Sequence, residues 1–185
     1  MTHPFLHFSS SVRKRLFWFF LALTALATLA LQMIDGSLQT AAAPQGIISY
    51  ELAGSAAAAG NILASWNANA RLHAAFSLGF DYLYMLAYGA TLALAALWLA
   101  DARQGFIRSV GVILAWSMGV AGLADALENY FLWQMLVSGP AESAAITARW
   151  AALLKFALIL LTFAYLIILL LLGLFRRKAS GPGSV

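Results

Sequence analysis

The chain has 185 residues, of which 63% are hydrophobic and 10% charged, with a mean hydropathy of +0.84; a soluble domain carries roughly 25% charged residues. Lipid is therefore the expected solvent for most of it, and an ordinary water-soluble fold is excluded. The absence of cysteine excludes disulfide frameworks, thiolate metal sites and thiol nucleophiles. The net charge of +4 resides in short clusters beside apolar runs, a pattern of membrane topology rather than of nucleic-acid binding.

In chain order, a basic lead over residues 1–15 precedes a first apolar run, Leu16 to Ile34, interrupted only by Thr24, Thr28 and Gln32. Its length suffices for a hydrocarbon core of about 30 Å. The competing reading is a cleaved signal peptide with a small-residue site at Ala41 to Ala43. The run exceeds the usual apolar core of roughly 7–15 residues and Pro44 follows the alanines directly, so an uncleaved span is expected. Phe76 to Ala100, Val110 to Val137 and Trp150 to Phe175 make three further spans. All four prolines lie outside these runs, which predicts unbroken helices. The fold class that follows is all-α: an antiparallel four-helix membrane bundle over residues 16–175.

Between the first two spans lies the one long connection, residues 35–75. Ile47 to Leu52 reads as extended. Ser55 to Trp66 is alanine-rich, with Ile62, Leu63 and Trp66 at helical spacing, and predicts a short helix on the outer surface with Trp66 at headgroup level. Asn67 or Asn69 is positioned to cap the next helix. Residues 176–185 read as a basic, disordered tail.

Arg13, Lys14, Arg15, Arg103, Arg108, Arg176, Arg177 and Lys178 flank the spans on one side, while Arg71 and Arg149 lie opposite. By the positive-inside rule both termini face the cytoplasm, here of a bacterial inner membrane.

Ionisable residues inside spans cost about 2.5–3.5 kcal/mol each at the helix centre, so their placement is informative. Asp81 in the second span, Asp125, Glu128 and Asn129 in the third and Lys155 in the fourth all sit in the outer half. Asp125, Glu128 and Asn129 share a helix face, as do Asp81, Tyr84 and Tyr88. Charge facing lipid is unfavourable, so both faces are expected to meet Lys155 inside the bundle. Three carboxylates against one lysine leave a surplus, which Arg71 and Arg149 reach down to balance or which a proton or cation must fill. Asp35, Arg71, His73 and Arg149 form the rim.

The plainest use of such a cluster is packing, since polar pairs between membrane helices fix register. Three carboxylates at one depth exceed what packing needs and point to a site for a small ligand, lipid headgroup or cation. A membrane-embedded enzyme acting on an outer-leaflet lipid, with Asp125 or Glu128 as base, is a second class. An accessory subunit with a tightly packed cluster is a third. His73 beside Asp81 and Glu128 has no metal-site spacing, so no metal is assigned, and no cofactor motif occurs. Gly111, Ala115 and Gly119 make a close-packing stripe on the third helix. Oligomeric state is not legible.

Asp81-x-x-Tyr84-x-x-x-Tyr88, Ala124-Asp125-x-x-Glu128-Asn129 and Leu154-Lys155-Phe156 together resemble an uncharacterised family of small bacterial four-span membrane proteins. The resemblance covers roughly Leu16 to Phe175 and extends to the alanine-rich outer helix ending in Trp66. Met85 stands where that family often has proline. The resemblance implies a four-helix fold and marks the acidic cluster; it supplies no substrate.

Overall fold

In the computed structural model, residues 2–179 are described, the side chains of 174–179 excepted. Six helices account for the described chain: α1 (Ser10–Asp35), α2 (Ile47–Glu51), α3 (Ala56–Ser65), α4 (Ala68–Asp101), α5 (Gly105–Ser138) and α6 (Glu142–Ala179), with no strand among the described residues. Four of them, α1, α4, α5 and α6, are long and apolar enough to cross a membrane, so the chain is a multi-pass membrane protein. The helices overrun the expected spans: α4 begins at Ala68 because the Asn67 side chain accepts from Ala70 N at 2.9 Å, capping it above the apolar run. α6 continues to Ala179, past the expected start of the tail, and the tail itself from residue 180 lies outside the described residues.

The four spans are not packed equally. α4, α5 and α6 make one tight unit, into which Gly111 brings α5 against Ala100 and the Tyr165 hydroxyl so closely that a Cβ there would collide. α1 packs on α4 and is barely in touch with α6. Only Ala27 of α1 is fully buried; the other residues of that helix are half-buried, mostly against α4, or exposed.

Two sequence readings are corrected at the ends of the bundle. The connection over residues 35–75 carries the expected short helix as α3 and forms a cap over the ends of α4, α5 and α6, but its Trp66 lies inside that cap, which is built on Leu38, Tyr50, Ile62, Leu63 and Trp66. Trp66, expected at headgroup level, is 3% exposed, donates through Nε1 to Leu38 O at 2.8 Å and meets Tyr50 edge-on. Burial of an indole is stable only when its N–H finds an acceptor, which the turn at Leu38 provides. Ile47 to Leu52, read as extended, is instead helical over Ile47–Glu51, because Asp35 Oδ1 accepts from Ile47 N at 3.0 Å and holds the first turn.

At the opposite end, the lead is not wholly a basic approach to α1. Residues 2–7 fold back on the bundle: Pro4–His7 form a short 3-10 helix, Trp116 Nε1 donates to Thr2 O at 3.1 Å, and Phe5 and Leu6 pack on the core between α4 and α5. Arg13 then pairs with Asp101 at 2.7 Å, pinning the start of α1 to the end of α4.

Candidate functional site

The side chains that the helical phase places together do meet. Lys155 of α6 projects into the bundle and is 5% exposed; Asp125, Glu128 and Asn129 of α5 are 1%, 0% and 2% exposed. Lys155 Nζ lies 2.9 Å from Asp125 Oδ1 and 2.9 Å from Glu128 Oε2. From α4, the Tyr88 hydroxyl donates to Asp125 Oδ2 at 2.7 Å, and Asn129 Nδ2 donates to Asp81 Oδ2 at 2.7 Å. Asp125 thus receives a lysine on one oxygen and a phenol on the other. Tyr84, expected beside Tyr88, stacks edge-on against it and turns its hydroxyl to Thr28 of α1 at 3.2 Å.

A fourth carboxyl completes the cluster and was missed in the sequence. Glu51, the last residue of α2, is 8% exposed and directs Oε2 to within 3.6 Å of Lys155 Nζ. The signal was slight: Glu51 is the one acid between Asp35 and Asp81, following an apolar Ile47-Ile48 pair. Its placement depends on Gly46, which enters α2 at φ +56 with the Asp35 carboxylate where a Cβ would stand.

The rim cations do not balance these acids. Arg71 is spent on the cap, donating from Nη2 to Leu63 O at 2.7 Å, and Arg149 packs against Gly54. His73 pairs with Ser37 Oγ at 2.6 Å rather than with Asp81 or Glu128, and Asp35 holds the start of α2. Among the described residues, no three His, Asp or Glu side chains form a metal-binding group; the centre of the cluster is filled by Nζ.

Two acids are left poorly satisfied. Glu51 Oε2 and both Glu128 oxygens are buried without an aligned hydrogen bond, the 2.9 Å approach of Glu128 to Nζ being a close ion pair of poor angle. Such orphaned oxygens cost about 1–3 kcal/mol each, more when charged, unless a proton, water or ligand satisfies them. Burial holds the Glu51 carboxyl above its ordinary value of 4.5, with Lys155 opposing and Asp125 reinforcing the rise. A carboxyl that binds protons more tightly folded than unfolded contributes stability that is complete below its unfolded value and is lost as pH climbs through the raised one. Wild-type melting temperature in a maltoside detergent should accordingly decline as pH rises above about 4.5, and Glu51→Gln should flatten that decline and melt higher than wild type at neutral pH.

Tyr88→Phe tests the other side of the cluster. It removes the donor to Asp125 Oδ2 without opening space, and should cost about 1.5–3 kcal/mol, as for hydrogen bonds to charged groups. In a double-mutant cycle with Asp125→Asn most of that cost should vanish.

The cluster opens into a half-enclosed cleft of about 490 Å³. Its walls come from α4 and from two helices, α1 and α6, that do not close on each other: Thr24, Thr28 and Leu31 of α1, Asp81, Tyr88 and Leu92 of α4, and Phe156, Ile159 and Phe163 of α6, with Glu51 of α2 also lining it. Asp125, Asn129 and Lys155 form its polar back wall; Glu128 lies behind Lys155, outside it. The cleft runs between α1 and α6. Comparison of the chain with protein-family models, curated proteins and solved structures finds no match.

Proposed function

We propose that this protein is an intramembrane binding protein for a small lipid-like molecule, which enters sideways between α1 and α6 and seats its polar head at Asp81, Asp125, Asn129 and Lys155. The observation that carries this reading is the cleft itself. A volume of about 490 Å³ lies within the range of roughly 300–1,000 Å³ typical of small-molecule sites, with mostly apolar walls and a few convergent polar groups. An accessory subunit would call for tight packing at the cluster, against which the cleft weighs. The spans are unbroken by proline, which favours a fixed binding site over the discontinuous helices that many transporters use; transport is the extension of this reading rather than its core.

We read the end bearing both termini, where the basic residues gather, as the cytoplasmic side of a bacterial inner membrane and the capped end as the outer side, in keeping with the positive-inside rule. On this orientation the head site lies in the outer half of the bilayer.

The test is photolabelling in lipid nanodiscs with a decanol derivative bearing a diazirine on its chain. Saturable labelling of the α1 stretch Leu21–Leu31 and the α6 stretch Phe156–Phe163 is expected, competed by unlabelled decanol and abolished by Ile159→Trp, which fills the cleft. Labelling that neither saturates nor responds to Ile159→Trp would sink the reading.

A further inference from the structure

We infer that the head group this cleft takes is a cation, specifically an organic ammonium on a single apolar chain. The inference rests on the binding reading above and deepens it. Four carboxyls line the cleft, Asp35, Glu51, Asp81 and Asp125, and the one lining cation is Lys155. That lysine is already engaged, held at 2.9 Å by both Asp125 and Glu128. Asp35 is engaged too, by the Ile47 amide.

Glu51 and Asp81 remain as the carboxyls that face the cleft with acceptor capacity to spare. Glu51 Oε2 is buried, has no hydrogen-bond partner and sits 3.6 Å from the ammonium of Lys155, too far to be satisfied by it. Asp81 is held through one oxygen by Asn129. Neutral donors, the amides and hydroxyls of Asn129, Tyr88, Thr24, Thr28 and Ser77, surround the site, but none supplies positive charge.

An ammonium group matches this arrangement in two respects. It carries N–H donors and no acceptor, so it can satisfy orphaned carboxyl oxygens without adding a new unsatisfied one, and its charge offsets an acid surplus that is costly in a medium of low dielectric. Carboxylate or phosphate heads would add to the surplus. The chain is required by the remainder of the cleft: a bare inorganic ion would leave Leu31, Leu92, Ile159 and Phe163 lining empty space, whereas an alkyl tail buries them. A two-chain phospholipid brings a phosphate for which no unengaged cation lines the cleft.

Competition against the decanol photoprobe at neutral pH distinguishes the possibilities, using decylamine, decanol, sodium decanoate and calcium chloride as competitors. Decylamine is expected to displace the probe at a concentration about tenfold lower than decanol, a difference of about 1.4 kcal/mol, and decanoate to be the weakest of the three amphiphiles. In Glu51→Gln, confirmed as folded by thermal unfolding, the advantage of decylamine should fall toward parity while saturable labelling by the probe persists, since Glu51 Oε2 is the orphaned acceptor. Equal displacement by all three amphiphiles, or preference for decanoate, would overturn the ammonium assignment and leave the binding site standing. Displacement by calcium chloride alone would replace it with an inorganic cation. Absence of saturable labelling in the wild type would remove the site itself. Should Glu51→Gln fail to fold, the ranking of competitors on the wild type decides the question unaided.

Discussion

Lys155→Met should be among the most destabilising single substitutions in this protein, with a loss of about 3–5 kcal/mol. Methionine replaces the stem of the lysine well and leaves no large cavity, so the loss isolates the charge. Removing Nζ strips Asp125 Oδ1 and Glu128 Oε2 of the one cation within 2.9 Å, and both residues are fully enclosed. Glu51 loses its nearest cation as well. The measurement is reversible unfolding in a maltoside detergent. The control is the triple variant Lys155→Met, Asp125→Asn, Glu128→Gln, which removes the charges together and should recover most of the loss, since a buried ion cluster replaced as a unit is often close to neutral. A single variant that melts with the wild type would show that the carboxyls are already neutral and that Lys155 is not what holds them.

Trp66→Ala is the second large effect, with an expected cost of about 3–5 kcal/mol for a buried tryptophan. Trp66 is where the cap closes: its ring fills the space beside Tyr50, and its N–H ties down the Leu38 carbonyl from the turn after α1. Trp66→Phe keeps most of the ring and loses the hydrogen bond, so it should cost only about 1–3 kcal/mol. The two variants differ in reach as well as size. In hydrogen exchange, Trp66→Ala should deprotect residues across α2 and α3, while Trp66→Phe should leave them protected. Loosening α2 also withdraws Glu51 from Lys155, so Trp66→Ala should reduce the pH dependence that Glu51 confers.

Spans, caps and the interior cluster were legible because lipid imposes severe rules on sequence. Runs of about 20 apolar residues have few alternatives to a spanning helix, and an in-span acid has few places to point other than inward. Helical phase alone was therefore enough to bring Asp81, Asp125, Glu128, Asn129 and Lys155 together. The internal packing of the cap was not legible, for the opposite reason. Residues 35–75 are alanine-rich and weakly patterned, and their fold is set by single contacts at long range: Tyr50 to Leu132 O, the Ala56 amide to Glu142, Trp66 to Leu38 O. No periodicity announces those. Glu51 was lost with them, and so was the true fate of Arg71 and Arg149, whose charge suggested the cluster but whose geometry serves the cap. A pocket opening outward from the cluster was expected, but not its placement between α1 and α6, because a pattern of apolar residues does not say which neighbour a helix will lack.

That unequal packing bears on how the chain is made. α1 emerges from the ribosome first, yet its main partner, α4, begins 33 positions after Asp35, and its cleft-facing hydroxyls would meanwhile stand in hydrocarbon. Thr24 and Thr28 solve this within the helix, each donating at 2.8 Å to the carbonyl one turn before it, Phe20 O and Thr24 O. A helix whose polar groups are satisfied by its own backbone can sit alone in lipid without seeking a wrong neighbour. When α4 arrives, the same hydroxyls lie against Thr91 at 3.1 Å and Tyr84 at 3.2 Å and need only a shared hydrogen bond to dock. The threonines are thus satisfied within α1 before α4 arrives and shared with it afterwards, which holds α1 on α4 and leaves its side toward α6 open.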